Sequence, residues 1–456
     1  MPGRRLSDRS LARAFRAIED PWVEVVSFDV FDTLLVRPVL EPIDLFHLVA
    51  RRIEAEVGRD FVRLRRRGEI EARHRMRLAD PAREEPTLTA IYAAMADLGH
   101  LSTEWVERLM RLEIETERSL LTARRPVRDL FLRARELGKS IVAVSDTYMS
   151  PGFVDEVLEA NGYDGLAATW VSSHEGRTKS SGNLFTRMLA DLGLAAERIL
   201  HIGDNLQSDV RRAEAFGLRT VHVPRAAYLY FTRRAATDLW GHDDVVLTPG
   251  HRLLLGMAIN RCIEEPMERR PAEGDPILTD PEAFGYALLG PLLVAAAAGA
   301  LDPKGRAAAL VEAILESEEE PSVEPASVLG RLVGGAERCR ADAAALFGPR
   351  FDGLDLDGEL LLRPLLRALR RSTGTGATWS ADLELDWLLD AEDEDEDGGA
   401  ARLSLKRRAE LRFLKPFVTP NRYLHLVHSA PQFFSEARNP LLRLYARARG
   451  RAGGSA

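Results

Sequence analysis

The spacing of apolar residues changes several times along this chain, and each change predicts a different element. Residues 23–30 (VEVVSFDV) are β-branched and apolar, which predicts a buried strand that runs into two acidic residues, Asp29 and Asp32. Between residues 41 and 122 the apolar positions recur three and four apart between arginine-rich faces, as in Thr103 to Leu121, and predict helices. Strands and helices then alternate. Val127 to Leu137 reads as an amphipathic helix stopped by Gly138, and Ser140 to Ser145 as a strand. Ser150 and Pro151 read as the N-cap and first residue of the next helix. Thr169 to Ser172, Arg198 to Ile202 and Arg219 to Val223 read as strands. Gly182 to Leu192 and Ser208 to Phe216 read as helices, the second ended by Gly217.

Strands separated by helices of this length predict a Rossmann-like α/β fold, a parallel sheet with right-handed crossovers. The helical block follows the first strand directly, so it reads as a cap inserted at about residues 40–124. Beyond residue 226 the alternation stops. The chain divides on this basis into an N-terminal segment (1–21), an α/β domain (22–226), a mainly helical region (227–389), an acidic linker (390–401) and a basic, aromatic C-terminal segment (402–456). Within the helical region, Ala287 to Leu301 is apolar but short of the ~20 residues a membrane-spanning helix needs, and reads as a buried helix. Ser317 to Pro325 reads as an acidic linker.

Composition narrows the picture a little. The 456 residues are 45% hydrophobic and 29% charged, which suits two or three folded domains. A net charge of -8 argues against nucleic acid as a partner of the whole chain. Cys262 and Cys339 are the only cysteines and make no zinc-spaced cluster; a reducing cytoplasm fits them. The basic N-terminus lacks the apolar run of a secretory signal. From Arg402 onward, twelve Lys and Arg face only Glu410 and Glu436. Four prolines break that segment, so a solvated or docked terminus is favoured over contact with an anionic surface.

In an open α/β sheet, ligands bind beyond the carboxyl ends of the strands. Four polar clusters fall there: Asp29 to Thr33, Ser145 to Tyr148, Lys179 in GRTKSSGNLF, and Gly203 to Asp209. Singly, each has a bland reading as a turn, a cap or a solvated charge; His201, at the last strand end, reads as a packed strand residue. Together they place a carboxylate, a hydroxyl, a lysine and an acidic loop in the spacing of strand–helix units. A carboxylate can attack a phosphoryl group only if cations offset the repulsion. Asp29 and Asp204, with Asp209 in the same loop, would hold Mg²⁺, a hard ion that prefers oxygen. The ion and Lys179 would neutralise the phosphoryl oxygens, and Ser145 would donate to one of them. Thr33, Asp146 and Asn205 are further candidate phosphate contacts, and Arg37 and Tyr148 candidate substrate contacts. Asp29 would then form an aspartyl-phosphate that water hydrolyses.

This order of motifs resembles the haloacid-dehalogenase-like (HAD) hydrolase superfamily over residues 22–226. SFDVFDTLL carries nucleophile Asp29 and Thr33; Ser145, Lys179, and Asp204 with Asp209 match the other three motifs. The resemblance implies that the backbone carbonyl of Phe31 also ligates the metal, and that the insertion is a type-1 helical cap. FDVFDTLLVRP, SDTYMS, TKSSGNLF and GDNLQSD look more narrowly like a bacterial group often associated with glycosyltransferases of surface-polysaccharide clusters. One position departs from the phosphatases of the family. They carry an acid/base aspartate two residues after the nucleophile, where this chain has Phe31. Asp32, one residue on, is a possible acid/base, although in an extended segment it would point away from Phe31's side. The expectation is a cytoplasmic, Mg²⁺-dependent phosphatase of a small phosphorylated metabolite. The alternatives are a phospho-ligand or protein-binding module on the same fold and, last, a metal-independent 2-haloacid dehalogenase.

Overall fold

The computed structural model describes residues 6–53, 55–231, 239–240, 247–264, 276–319, 327–348, 351 and 354–374. Its centre is a five-stranded sheet of β1 (Val25–Phe28), β4 (Ser140–Ser145), β5 (Ala168–Val171), β6 (Ile199–Gly203) and β7 (Arg219–His222). The order is β5-β4-β1-β6-β7 and every pairing is parallel. β1 lies in the middle with all four residues buried, which explains its unbroken apolar run: a central parallel strand is covered on both faces. Val25, Val142, Val144 and Ile199 pack on one face against Phe185 and Met188. Val26, Phe28, Ile141 and Ala143 pack on the other with Phe131 and Ala134.

Boundaries follow local chemistry. The Ser150 hydroxyl accepts from the Phe153 N–H, and Pro151 opens the helix of Pro151–Ala160. Gly138 and Gly217 have φ of 67° and 84°, left-handed values that stop helices without strain. The helix expected at 208–216 is instead a π-turn over Leu206–Arg212 that continues into Ala213–Ala215. Two elements were not foreseen. Helix α1 (Leu6–Ile18) buries Ala14 and Ile18 against the domain. A two-residue ribbon, β2 (Leu35–Val36) antiparallel to β3 (Thr122–Ala123), forms the stem through which the chain enters and leaves the insertion.

The insertion itself is helical: α2 (Asp44–Arg51), α3 (Ala55–Ala79), α4 (Leu88–Gly99) and α5 (Thr103–Leu120). Its interior holds an ion pair. Arg65, fully buried, donates from Nε and NH2 to Glu113 at 2.7 and 2.9 Å, and the Tyr92 hydroxyl donates to the same carboxylate at 2.8 Å. Such a fork leaves neither charge unpaired, which is what makes burial tolerable.

The helix of Pro249–Ile259 packs beside the stem. A Cβ on Gly256 would lie 2.2 Å from Leu40 N, so the helix of Pro249–Ile259 sits directly on the backbone after β2. Arg252 pairs with Asp44 at 2.8 Å, and the Asn260 side-chain amide donates to the Arg37 carbonyl at 2.9 Å. Residues 287–295 are buried, as expected for the apolar stretch. Pro291 does not break it, because a π-turn at Gly285–Leu289 re-forms the helix with Pro291 in its first turn. The start of the expected acidic linker, residues 317–319, falls instead in the helix of Arg306–Glu319, and its remainder lies outside the described residues. Cys262 and Cys339 are buried and not joined in a disulfide. No described helix is long and apolar enough to cross a membrane. The acidic run at 390–401 and the basic segment at 402–456 lie outside the described residues.

Candidate active site

Asp29 follows β1, Ser145 ends β4, Lys179 stands in the loop after β5, and Asp204 follows β6. Because β4, β1 and β6 are parallel neighbours in register, their carboxyl ends meet at one edge of the sheet. Carboxylate oxygens of Asp29, Asp204 and Asp209 all come within 4.8 Å of one another. Lys179 Nζ bonds Asp29 Oδ1 and lies 2.7 Å from Asp209 Oδ1. Lys179 thus pairs with two of the three carboxylates, and among the described residues Asp204 has no ion-pair partner of its own. The imbalance is visible in their protonation. Burial, against the opposing pull of Lys179, pushes Asp29 up to about 7. Burial and the carboxylates of Asp32, Asp29 and Asp209 push Asp204 well above its ordinary range. Asp209 is buried too, but Lys179 and His201 hold it below the usual carboxylate range. A three-carboxylate oxygen set short of positive charge fits a hard divalent cation.

Each remaining motif residue has a definite place. Ser145 is 1% exposed, and its hydroxyl has no hydrogen-bond partner. Buried hydroxyls are rarely left that way. Thr33 donates to Asp29 Oδ2 at 3.0 Å, so it orients that carboxylate. Asp146 accepts from the N–H groups of Lys179 and Ser180 at 2.7 and 3.3 Å, fixing the lysine loop rather than facing outward. Asn205 Oδ1 caps the following turn at Gln207 N and Ser208 N. Its own N–H donates to Asp209 at 2.9 Å. Asp209 folds back so closely that a Cβ on Gly203 would lie 2.5 Å from its carboxylate, which is why the loop begins with glycine. His201 is a packed strand residue as expected: its ring lies edge-on to Phe185 and bonds Ser27 Oγ at 2.9 Å.

The segment after the nucleophile is not extended. Asp32 has φ 61°, a left-handed conformation rare outside glycine, asparagine and aspartate. Its N–H closes a turn onto the Leu35 carbonyl at 2.7 Å. The side-to-side alternation of an extended segment therefore does not apply to Asp32. Its carboxylate pairs with Arg225 at 3.3 Å and is near enough to raise Asp204. Phe31, at the position of the family's acid/base, lies under the Arg37 guanidinium at 4.5 Å. Arg37 is paired with Glu117 of the cap at 2.6 Å. Tyr148 stacks on Arg65 at 4.7 Å. A groove of about 340 Å³ opens between cap and core, lined by Leu88, Met110, Ile114, Tyr148, Met149 and Phe153 among others; none of Asp29, Ser145, Lys179 or Asp204 lines it.

Sequence reasoning missed two residues that shape the site. Arg124, 3% exposed, donates to the carbonyls of Asp32 (2.8 Å), Val223 (3.1 Å) and Pro224 (2.7 Å), tying together three loops. Glu117 reaches the same region from α5. Neither stands out in a sequence rich in arginine and glutamate.

A parallel sheet with an inserted helical cap and an aspartate cluster at its carboxyl edge makes a Rossmann-like α/β domain of the HAD architecture. A family model for haloacid dehalogenase-like hydrolase matches residues 23–217, and this part of the chain is similar to that superfamily. Similar solved structures include a haloacid dehalogenase-like hydrolase from Xanthomonas campestris, 20% identical, covering 46% of this chain and 84% of that one at a TM-score of 0.33. A 2-haloacid dehalogenase from Pseudomonas syringae pathovar tomato is 18% identical, covering 43% and 85% at 0.32. The L-2-haloacid dehalogenase of Xanthobacter autotrophicus is 16% identical, covering 43% and 76% at 0.32. Comparison with curated proteins finds no match.

Proposed function

We propose that this domain is a Mg²⁺-dependent phosphatase acting through an aspartyl-phosphate on Asp29. The observation that carries the reading is the carboxylate cluster: three carboxylates have oxygens within 4.8 Å of one another, and the lysine among them pairs with only two. A dehalogenase has less use for such a set, because the carbon it attacks is not ringed by anionic oxygens as phosphorus is, and halide leaves without a metal ion. Asp29, Asp204, Asp209 and the Phe31 carbonyl would hold the ion, which when bound supplies charge neutralisation of the phosphoryl group. The partnerless Ser145 hydroxyl suits a donor to a phosphoryl oxygen. Lys179 neutralises a second, and Thr33 aims the Asp29 carboxylate at phosphorus. With Phe31 unable to carry a proton, Asp32, paired with Arg225 and near enough to Asp204 to raise it, serves the leaving group and then the water.

The test is phosphate release from sugar phosphates, nucleotides and acyl phosphates, with and without Mg²⁺. Sugar phosphates belong in the panel because of the narrower resemblance to the surface-polysaccharide group. Asp32→Asn is expected to slow alkyl and sugar phosphates by about 10²-fold or more, and acyl phosphates far less, since a carboxylate leaves without a proton. Equal losses on both would remove Asp32 from that role.

The metal reading also predicts a linkage to pH. Asp29 and Asp204 are raised in the folded protein, so the native state holds protons that the unfolded chain releases above about pH 4. Metal-free stability should therefore decline as pH rises from about 4 to about 7. Mg²⁺ must displace those protons, so its stabilising shift in melting temperature should grow from pH 5.5 to pH 8. A shift independent of pH would contradict the assignment of these carboxylates as ligands.

A further inference from the structure

The turn that joins α3 to α4 carries three consecutive charged residues, Arg83, Glu84 and Glu85, which face different ways. Arg83 reaches the core and donates to the Ser173 carbonyl. Glu85 turns back into the cap and pairs with Arg73 at 2.7 Å. Glu84 crosses to the loop that bears Lys179. Its Oε2 accepts from the Thr178 N–H (2.7 Å), the Thr178 hydroxyl (3.0 Å) and the Ser181 hydroxyl (2.6 Å), and its Oε1 accepts from the Asn183 side-chain amide. Its own N–H donates to the Gly176 carbonyl at 2.9 Å.

One carboxylate therefore gathers four donors from residues on both sides of Lys179. Hydrogen bonds to an ionised acceptor are about twice as strong as neutral ones, and a solvated surface glutamate does not collect four. Burial pushes the Glu84 carboxyl up, but the bonds from Ser181, Thr178 and Asn183 outweigh it and leave it below its usual range. The opposite side of the loop is held by Asp146, which accepts from Lys179 N and Ser180 N. The two clamps differ in origin. Asp146 follows β4 and is fixed to the sheet. Glu84 is carried by the insertion, which joins the core through the β2–β3 stem.

We propose that Glu84 is a positioning residue: a cap carboxylate that orders the Lys179 loop, so that Lys179 takes its working place only when the cap is closed on the core. This rests on the reading of Lys179 as the cation that faces the phosphoryl group, and adds a coupling between cap position and site competence. The pattern differs from a packing contact because removing it should loosen the loop and slow turnover without unfolding the domain.

The experiment measures two things on the full chain: amide hydrogen exchange over residues 176–184, and steady-state phosphate release from acetyl phosphate with Mg²⁺. Wild type is compared with Glu84→Ala, Glu84→Asp and the double variant Ser181→Ala/Asn183→Ala, which removes donors from the core side and guards against a folding defect in the first. Exchange across the loop is expected to rise about tenfold or more in both alanine variants. kcat is expected to fall about ten- to a hundredfold, with a smaller change in KM, as for a displaced catalytic group. Glu84→Asp should restore part of both. Loop exchange that stays at the wild-type level in Glu84→Ala overturns the proposal, as does a kcat that stays unchanged while exchange rises. If wild type releases no phosphate from any substrate, the phosphatase reading fails on its own. The exchange arm then decides the latch alone: a rise supports it and no rise overturns it.

Discussion

Asp29→Asn should reduce phosphate release by at least about 10⁴-fold, the scale of loss when a covalent nucleophile is removed. The amide is nearly isosteric and can still accept from Thr33, which bonds the Asp29 carboxylate at 3.0 Å, so the fold should persist. What disappears is the attacking oxygen and one anionic ligand of the cluster formed with Asp204 and Asp209. Rapid-quench trapping with radiolabelled acetyl phosphate measures both parts. Wild type should yield an acid-stable, hydroxylamine-sensitive phosphoenzyme and the variant none. Activity that survives the change would eliminate the aspartyl-phosphate mechanism, and a metal-independent release of halide from a 2-haloacid would replace it with the dehalogenase alternative.

Lys179→Met should produce the largest loss of stability. Lys179 is 3% exposed and pairs with Asp29 and Asp209, whose side chains are 8% and 0% exposed. Methionine fills the volume but carries no charge, leaving two buried carboxylates without their lysine. Breaking a buried pair in this way costs about 3–5 kcal/mol. The loss should depend on pH. Without the lysine both carboxyls rise, the native state binds protons that the unfolded chain does not, and the deficit deepens between pH 5 and pH 8. Urea unfolding in EDTA at the two pH values tests this. Mg²⁺ should recover part of the stability at pH 8, because a divalent cation can stand in for the missing charge, while phosphate release stays impaired. Wild-type stability at pH 8 would mean that the lysine is not the counter-charge its geometry indicates.

How much of this was legible beforehand differs between the sheet and the site. The strands at 140–145 and 219–223 were readable from runs of β-branched residues, and the helix at 151 from its serine–proline start. The four-cluster order at strand ends located the carboxylate site, because parallel register carries the ends of neighbouring strands to one edge whatever lies between them. The cap was readable only as a block of helices. Arg65 belongs to the same arginine-rich pattern as its neighbours, and periodicity cannot tell a buried, forked pair with Glu113 from a solvated one.

The sequence by itself determined the class of fold, the insertion after the first strand and the set of polar residues available for chemistry, because all of these depend on local spacing. Tertiary structure decided the rest. It closed a left-handed turn at Asp32 onto Leu35 and paired the Asp32 carboxylate with Arg225. It set Thr33, Asp146 and Asn205 to orient their neighbours, and left the Ser145 hydroxyl without a partner. It brought Glu84 and Glu117 from the cap to residues about 100 and 80 positions away in the chain. The physical reason is common to these cases. Whether a polar side chain caps, pairs or faces a ligand depends on which donors and acceptors surround it after packing, and those partners come from distant segments whose approach leaves no periodic trace in the sequence.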